Sequence, residues 1–520
     1  MAQASPAKGK APLPPLELIA LGRMGYGPRP GDVEAFRALP GANVGEKLKA
    51  YVEQQLNPAT IDDSACEARI RGFDTLGKST ERLWREHLRD LPEMNDRYRE
   101  VWRPTQETRM ATVTRAVYSK RQLLEVTVDF WHNHFNTAPD RDERLASLFA
   151  SYHAHIRKHA LGNFQELLVG VAAHPVMLYY LDNASSSRNG PNENWARELF
   201  ELHTLGAENY FGVKRQKEVP GYDKGQPAGY VDDDVYEATR AFTGWRVADN
   251  ADEQGLNKNT GEFVFYAPWH DRFQKTILGR QLPPDQPGTK DGMDVLEALA
   301  AHPGTARHIA RKLARRFIAD DPPERVVQEA AKVFQAGLKS PNQIRDTLRV
   351  ILLSDEFKTT YGEKIKRPLE SVYAAMRVLG TEFKLDKRDD ILWHLGWAGQ
   401  FLYGHRPPDG YADYREAWNG TASMLRRWQF GQGLCENWWE FFRSDLVGQT
   451  PKELTTPNQL ADYWIKRTLG QPMVGPKRDA VVRFLTWAQD PDQPLSAERI
   501  KERLPRAVSL VMMMPEFMWR

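Results

Sequence analysis

Apolar residues recur along most of this chain at intervals of three and four, the spacing that lines one face of a helix. An ordered region opens at 16–23, and the pattern predicts helices over 42–55, 83–91, 95–100, a long one over 107–135, and others over 142–159, 163–173, 192–205 and 232–243. Three more follow at 292–301, 305–318 and 323–336, and 344–520 is again helical, interrupted at 403–414 and around 470–476. Start signals agree: Asn163 precedes Phe164-Gln165-Glu166, and Asp232-Asp233-Asp234 fills the first turn of its helix. Only 246–279 reads differently. There Glu262-Phe263-Val264-Phe265-Tyr266 alternates, and Lys275-Thr276-Ile277-Leu278-Gly279 closes the segment, predicting one small β element around residues 260–280. Gly/Pro-rich stretches at 210–230 and 283–288 predict loops. No fixed repeat period emerges, which argues against a solenoid. The expectation is a mainly α, large multi-helix globular fold over 16–520, with a place for subdivision near 340–365, behind a disordered leader at 1–15.

Composition narrows the classes. A 520-residue chain that is 41% hydrophobic and 27% charged is neither disordered nor fibrous. Its formal net charge of +2 lacks the basic excess of a nucleic-acid binder. Two cysteines, Cys66 and Cys435, rule out a disulfide scaffold or a cysteine-based zinc or iron–sulfur site; whether they pair stays open. No stretch reaches the roughly 20 apolar residues of a membrane span. Residues 1–15 lack the apolar core of a signal peptide; an ordinary start and one from which an export signal was removed both fit.

Four constellations could carry chemistry. In Phe130-Trp131-His132-Asn133-His134-Phe135, His134 shares a buried stripe with Leu123, Val126 and Phe130, while His132 falls about 160° away on the same wheel. An unbroken helix therefore cannot bring both to one metal; a chain extended after Trp131 could. On the helix from Asn192 to Gly206, one arc holds Glu193, Asn194, Arg197, Glu198 and Glu201, and the other Trp195, Leu199, Phe200, Leu202 and His203. A solvated face with a Glu193–Arg197 pair is the simplest account of the polar arc. The third runs from the acidic turn at Asp234 through Arg240 to Gly244-Trp245. In the fourth, His270 and Asp271 sit in a loop near Lys275, which suits acid–base work or anion binding. Absent are a Gly-rich phosphate loop, a G-x-S-x-G elbow and an H-E-x-x-H pair.

These strings together resemble one family. FWHNHF, HALGNFQELL, NENWARELFELHTLG, DDDVYEATRAFTGW, WHD…KTILG and HPGTARHIARKLARRFIADDPP, with KRPLES, Pro407-Pro408-Asp409-Gly410 and Trp418-Asn419, are similar to the bacterial DUF1800 family from about Ile19 onward. The family has no assigned function. The resemblance implies an exported protein, extracellular or periplasmic, encoded beside a sulfatase/phosphatase-like partner. The loop at 210–230 departs from the family by being longer and richer in lysine.

Three functions are compatible with these residues. The first is a hydrolase acting on an extracellular polymer, most plausibly a polysaccharide, with Glu193, Glu198, Asp234 and His134 catalytic. Arg197, Arg240, His270, Asp271 and Lys275 would bind substrate, and Trp131, Trp195 and Trp245 would offer flat faces for sugar rings, although core packing explains those rings equally well. The second is an enzyme using a divalent metal held by His132, His134 and His203. The third is a structural or binding protein of the cell envelope.

Overall fold

The computed structural model describes residues 13–92, 96–249, 258–487 and 489–520. Its principal helices, in chain order, are α1 (Leu16–Arg23), α2 (Val44–Leu56), α3 (Arg97–Tyr118), α4 (Gln122–His134), α5 (Glu143–His159), α6 (Phe164–Ala172) and α7 (Asn194–Glu198). They continue with α8 (Asp232–Ala241), α9 (Lys290–Ala301), α10 (Pro303–Phe317), α11 (Pro368–Leu379), α12 (Thr421–Glu436) and α13 (Ala497–Met512). The protein is mainly α. α4 lies against α2, α3 and α5, and one buried apolar cluster runs from Ile19 to Met518. No helix of the described residues is long and apolar enough to cross a membrane.

Strands occur only as short antiparallel pairs: β1 (Trp245–Val247) with β2 (Phe263–Phe265), β3 (Lys275–Ile277) with β4 (Arg280–Leu282), and β5 (Glu382–Phe383) with β6 (Phe442–Arg443). The first two pairs are the expected β element. The third, two residues per strand, is too short to leave an alternating pattern. The loop at 210–230 forms short turns closed by a bridge between Tyr210 and Tyr230. Residues 1–12 of the expected leader lie outside the described residues.

Two helix boundaries differ from expectation. α3 starts at Arg97 and runs through Pro104, and the predicted long helix is broken after Tyr118. Pro104 cannot donate to the Glu100 carbonyl, but the His87 ring nitrogen Nδ1, 3.1 Å away, takes that carbonyl instead. At the break, Asp63 accepts from Ser119 Oγ (2.7 Å) and Lys120 N (2.8 Å), and Gln122 donates to the Ser119 (2.9 Å) and Ala116 (3.2 Å) carbonyls. These side chains replace helical bonds and turn the chain. Asn163 caps α6 as expected, accepting from Gln165 N (2.9 Å) and Glu166 N (3.2 Å). Cys66 and Cys435 are buried free thiols.

Candidate active site

α4 stays helical through His134, so the extended alternative does not form and its two histidines diverge. His132 turns towards α5, where its Nε2 meets His153 Nδ1 at 2.8 Å, beside Tyr403. His134 turns the other way and donates from Nε2 to the His203 carbonyl at 3.1 Å. A carbonyl only accepts, so the proton is on Nε2. Burial, followed by the positive charge of Lys312, holds the His134 pKa well below the usual histidine range. The ring is therefore neutral, and Nδ1 is a buried acceptor with no hydrogen-bond partner.

Between the histidines, the motif builds a wall. Asn133 donates to the Tyr411 carbonyl and accepts from Tyr411 N, both at 2.8 Å. Asn136 donates to the carbonyls of His405 (2.9 Å) and Pro407 (2.7 Å). Together they press the Pro407-Pro408-Asp409-Gly410 loop onto the end of α4. Gly410 has φ +74°, and a Cβ there would stand 2.1 Å from the Asn133 carbonyl oxygen. Only glycine fits.

His203 arrives on a π-helical turn, Leu199–His203, that follows α7. Such turns shift the side-chain register and recur at functional sites. This one buries His203 completely between Phe135 and Trp195, with both ring nitrogens lacking hydrogen-bond partners. Desolvation, with Lys312 and His308 nearby, lowers its pKa to about 3.

Beyond His134 opens a hollow of about 290 Å³. Its wall includes Asn133, Lys312 and Arg315 of α10, Arg367, Asp409 and Asp413. Most of these charges are matched: Arg367 reaches Asp129 and Glu370, Asp409 takes His405 Nε2 at 2.8 Å, and Asp413 takes Lys364 Nζ at 3.1 Å. Lys312 and Arg315 are not. Neither is ion-paired to a carboxylate among the described residues, and Arg315 makes one side-chain bond, Nε–H to the Asp320 carbonyl at 2.8 Å. Burial, followed by the Arg315 charge, pushes the Lys312 ammonium down to about 8.

Glu198, half-buried at the end of α7, does not line this hollow but is near enough to Asp409 of its wall to feel that charge. Desolvation and then the carboxylates of Glu201 and Asp409 push its pKa up to about 7. A larger cavity of about 560 Å³ lies among α1, α2 and the end of α3, but its guanidiniums are engaged. Arg377 holds the Gly27 carbonyl and Asp32, Arg69 holds Glu382, and Arg29 lies over Tyr118.

The remaining expected site residues lie elsewhere, each for a physical reason. Glu193 is exposed and pairs with Arg197 across one turn, at 3.3 Å, as the wheel suggested for a solvated face. Asp234 is a structural cap: its carboxylate accepts from Val231 N (3.0 Å) and Leu278 N (2.7 Å), tying α8 to the β3–β4 hairpin. Arg240 grips Asp271 with two bonds of 3.0 Å and also holds Glu237. Lys275, with no exposed side-chain surface, donates to Asp291 Oδ2 (2.7 Å) and to the carbonyls of Asp271 (2.7 Å) and Phe273 (2.9 Å). His270 meets Asp291 Oδ2 at 3.2 Å. Arg240, His270, Asp271 and Lys275 are thus spent on one another, on Glu237 and on Asp291. Trp131, Trp195 and Trp245 are at most 2% exposed, so no sugar ring can lie on them; they are core. His132, His134 and His203 do not form one ligand set, because His132 faces away. No group of three or more His, Cys, Asp or Glu among the described residues is arranged to hold a metal ion.

Asp409, Lys312, Arg315 and Arg367 were within reach of sequence reasoning, since the strings PPDG, HIARKLARRF and KRPLES carry them. The sequence profile of the family described as "Protein of unknown function (DUF1800)" matches residues 19–519, taking in α4, α7, α10 and the Asp409 loop. The chain belongs to the DUF1800 family. Comparisons with curated proteins and with solved structures give no match. The family motif at α4 and the PPDG loop are thus the two surfaces that clasp each other beside the hollow.

Proposed function

We propose that this protein is an exported hydrolase-type enzyme acting on an extracellular polysaccharide, with Glu198 as its proton-exchanging group. The observation that carries this reading is the pairing of two features. A carboxyl group whose pKa stands at about 7 feels the charge of Asp409, and Asp409 lines a hollow whose other wall residues include polar groups without partners. A carboxyl in that range is half protonated near neutrality and can both give and take a proton. Glycoside cleavage needs two carboxyl groups in unlike environments. Glu198 and Asp409 meet that description: Glu198 is pushed up, while Asp409 is exposed and hydrogen-bonded to His405. This pair replaces Glu193 and Asp234, which the fold uses elsewhere. The exported setting rests on the family resemblance.

The test is release of reducing ends from a panel of neutral and acidic polysaccharides by wild type, E198Q, D409N and E193Q. Turnover lost in E198Q and D409N but kept in E193Q supports the reading. No turnover by wild type on any member, or E198Q as active as wild type, contradicts it.

A further inference from the structure

Lys312 and Arg315 stand one turn apart on α10 and both line the hollow. Their position near the C-terminus of α10 is electrostatically favourable, but that does not explain why neither has a carboxylate partner. Elsewhere some enclosed cations are matched by carboxylates, Lys275 by Asp291, Lys364 by Asp320 and Asp413, Arg157 by Glu125, while the buried Arg23 and Arg427 are held by carbonyls instead. Lys312 has neither kind of partner among the described residues. Two adjacent cations without a direct carboxylate contact at the wall of a hollow repel each other, and burial of Lys312 adds a cost that the more distant carboxylates of Asp413, Glu208 and Asp409 offset only in part. The arrangement becomes favourable once an anionic oxygen group enters, since charge-assisted bonds to it are short and strong. The His134 ring belongs to the same wall; its Nδ1, held as an acceptor by the bond from Nε2 to the His203 carbonyl, has no partner and is covered, so a hydroxyl reaches it only by displacing the side chains over it. An acceptor does not welcome an anion; it welcomes a hydroxyl. The wall therefore asks for two things from one ligand, a negative group and a neighbouring O–H donor.

We propose that the hollow is a subsite for a sugar unit bearing an anionic group, the anion held by Lys312 and Arg315 and an adjacent hydroxyl donating to His134 Nδ1. This names the substrate class of the site described above and rests on that reading for its catalytic meaning, though not for binding. The anionic group is a carboxylate, a sulfate or a phosphate ester. Asp409 and Asp413, in the same wall, limit the number of negative groups the hollow accepts and favour a ligand with one per sugar.

Calorimetric titration with glucuronate, glucose 6-sulfate, glucose 6-phosphate, glucose and inorganic sulfate tests this on the full chain. The expected result is that at least one sugar anion binds more tightly than both glucose and inorganic sulfate. One charge-assisted contact sets the preference over glucose at roughly tenfold to a hundredfold. K312M should abolish that preference with its circular dichroism and melting profile intact, and H134F should reduce binding of the sugar anion to the level of inorganic sulfate. E198Q should keep the preference, which separates this inference from the catalytic one: binding without turnover would sink the hydrolase and leave the subsite standing. Glucose bound as tightly as every sugar anion, inorganic sulfate bound as tightly as the best of them, or the preference surviving in K312M would overturn it.

Discussion

Around Lys275 every charge is answered. Its ammonium has Asp291 and two carbonyls, Asp291 also has His270, and Arg240 has Asp271 and Glu237. Around Lys312 the same residue types are left open: two cations without carboxylates, a histidine nitrogen without a donor, and a glutamate raised by its neighbours. The first cluster fastens the β3–β4 hairpin to α8 and α9. The second borders a space. Residue type alone marks both as chemistry; satisfaction distinguishes a structural network from a site that waits for a ligand.

The comparison breaks first at Asp291. Burial works against its charge, yet hydrogen bonds from His270, Lys275 and Gln286 hold its pKa below the usual carboxylate value. A depressed carboxylate contributes stability above the ordinary range and loses it as pH falls through the folded value. D291N removes the nearer carboxylate from buried Lys275 and leaves it only Asp271 at 3.6 Å, so urea unfolding at neutral pH should show a loss of about 3 kcal/mol. That difference from wild type should shrink only in acid, below the ordinary carboxylate range.

Gly410 gives the next largest effect. G410A forces an alanine into positive φ and onto the Asn133 carbonyl, with an expected loss of about 1–3 kcal/mol. Amide exchange should localise the damage to the Asp409 loop. Protection unchanged there would mean that the clasp between α4 and the loop is not what shapes the hollow.

Glu198 sharpens the contrast with a smaller effect of opposite sign. Its folded pKa, about 7, lies above the ordinary 4.5. A raised acid binds its proton more tightly in the folded state, so its contribution is greatest below pH 4.5 and is lost as pH rises to 7. E198Q should therefore be more stable than wild type above pH 7, by about 1 kcal/mol once solvent at this half-buried group is allowed for. The advantage should vanish in mild acid. Equal stability at all pH values would show that the carboxyl is not perturbed.

Much of this was legible in the chain, but unevenly. Spacing of apolar positions located α2, α5 and α6 to within a residue or two, because each is amphipathic and capped by local signals such as Asn163. It misjudged 95–135, where the decisive partners, His87 for the carbonyl freed by Pro104 and Asp63 for the turn after Tyr118, are distant in sequence. At the site, the wheel correctly set His132 against His134 and read Glu193–Arg197 as a surface pair. It could not show the π-helical turn that buries His203, since a constant 100° step excludes one. Nor could it rank Arg240, Asp271 and Lys275 below Lys312 and Arg315. That ranking depends on which cations find carboxylates, and Asp291, the partner that settles it, attracted no notice in the sequence.

The most direct measurement is a side-by-side urea unfolding of wild type, K312M and D291N at pH 7, in buffer free of multivalent anions. A cation desolvated without a partner burdens the fold, as active sites commonly do. The account predicts K312M to be at least as stable as wild type while D291N falls by several kcal/mol. A loss in K312M matching that of D291N would show Lys312 to be one more satisfied structural charge, and the hollow would then be no site at all.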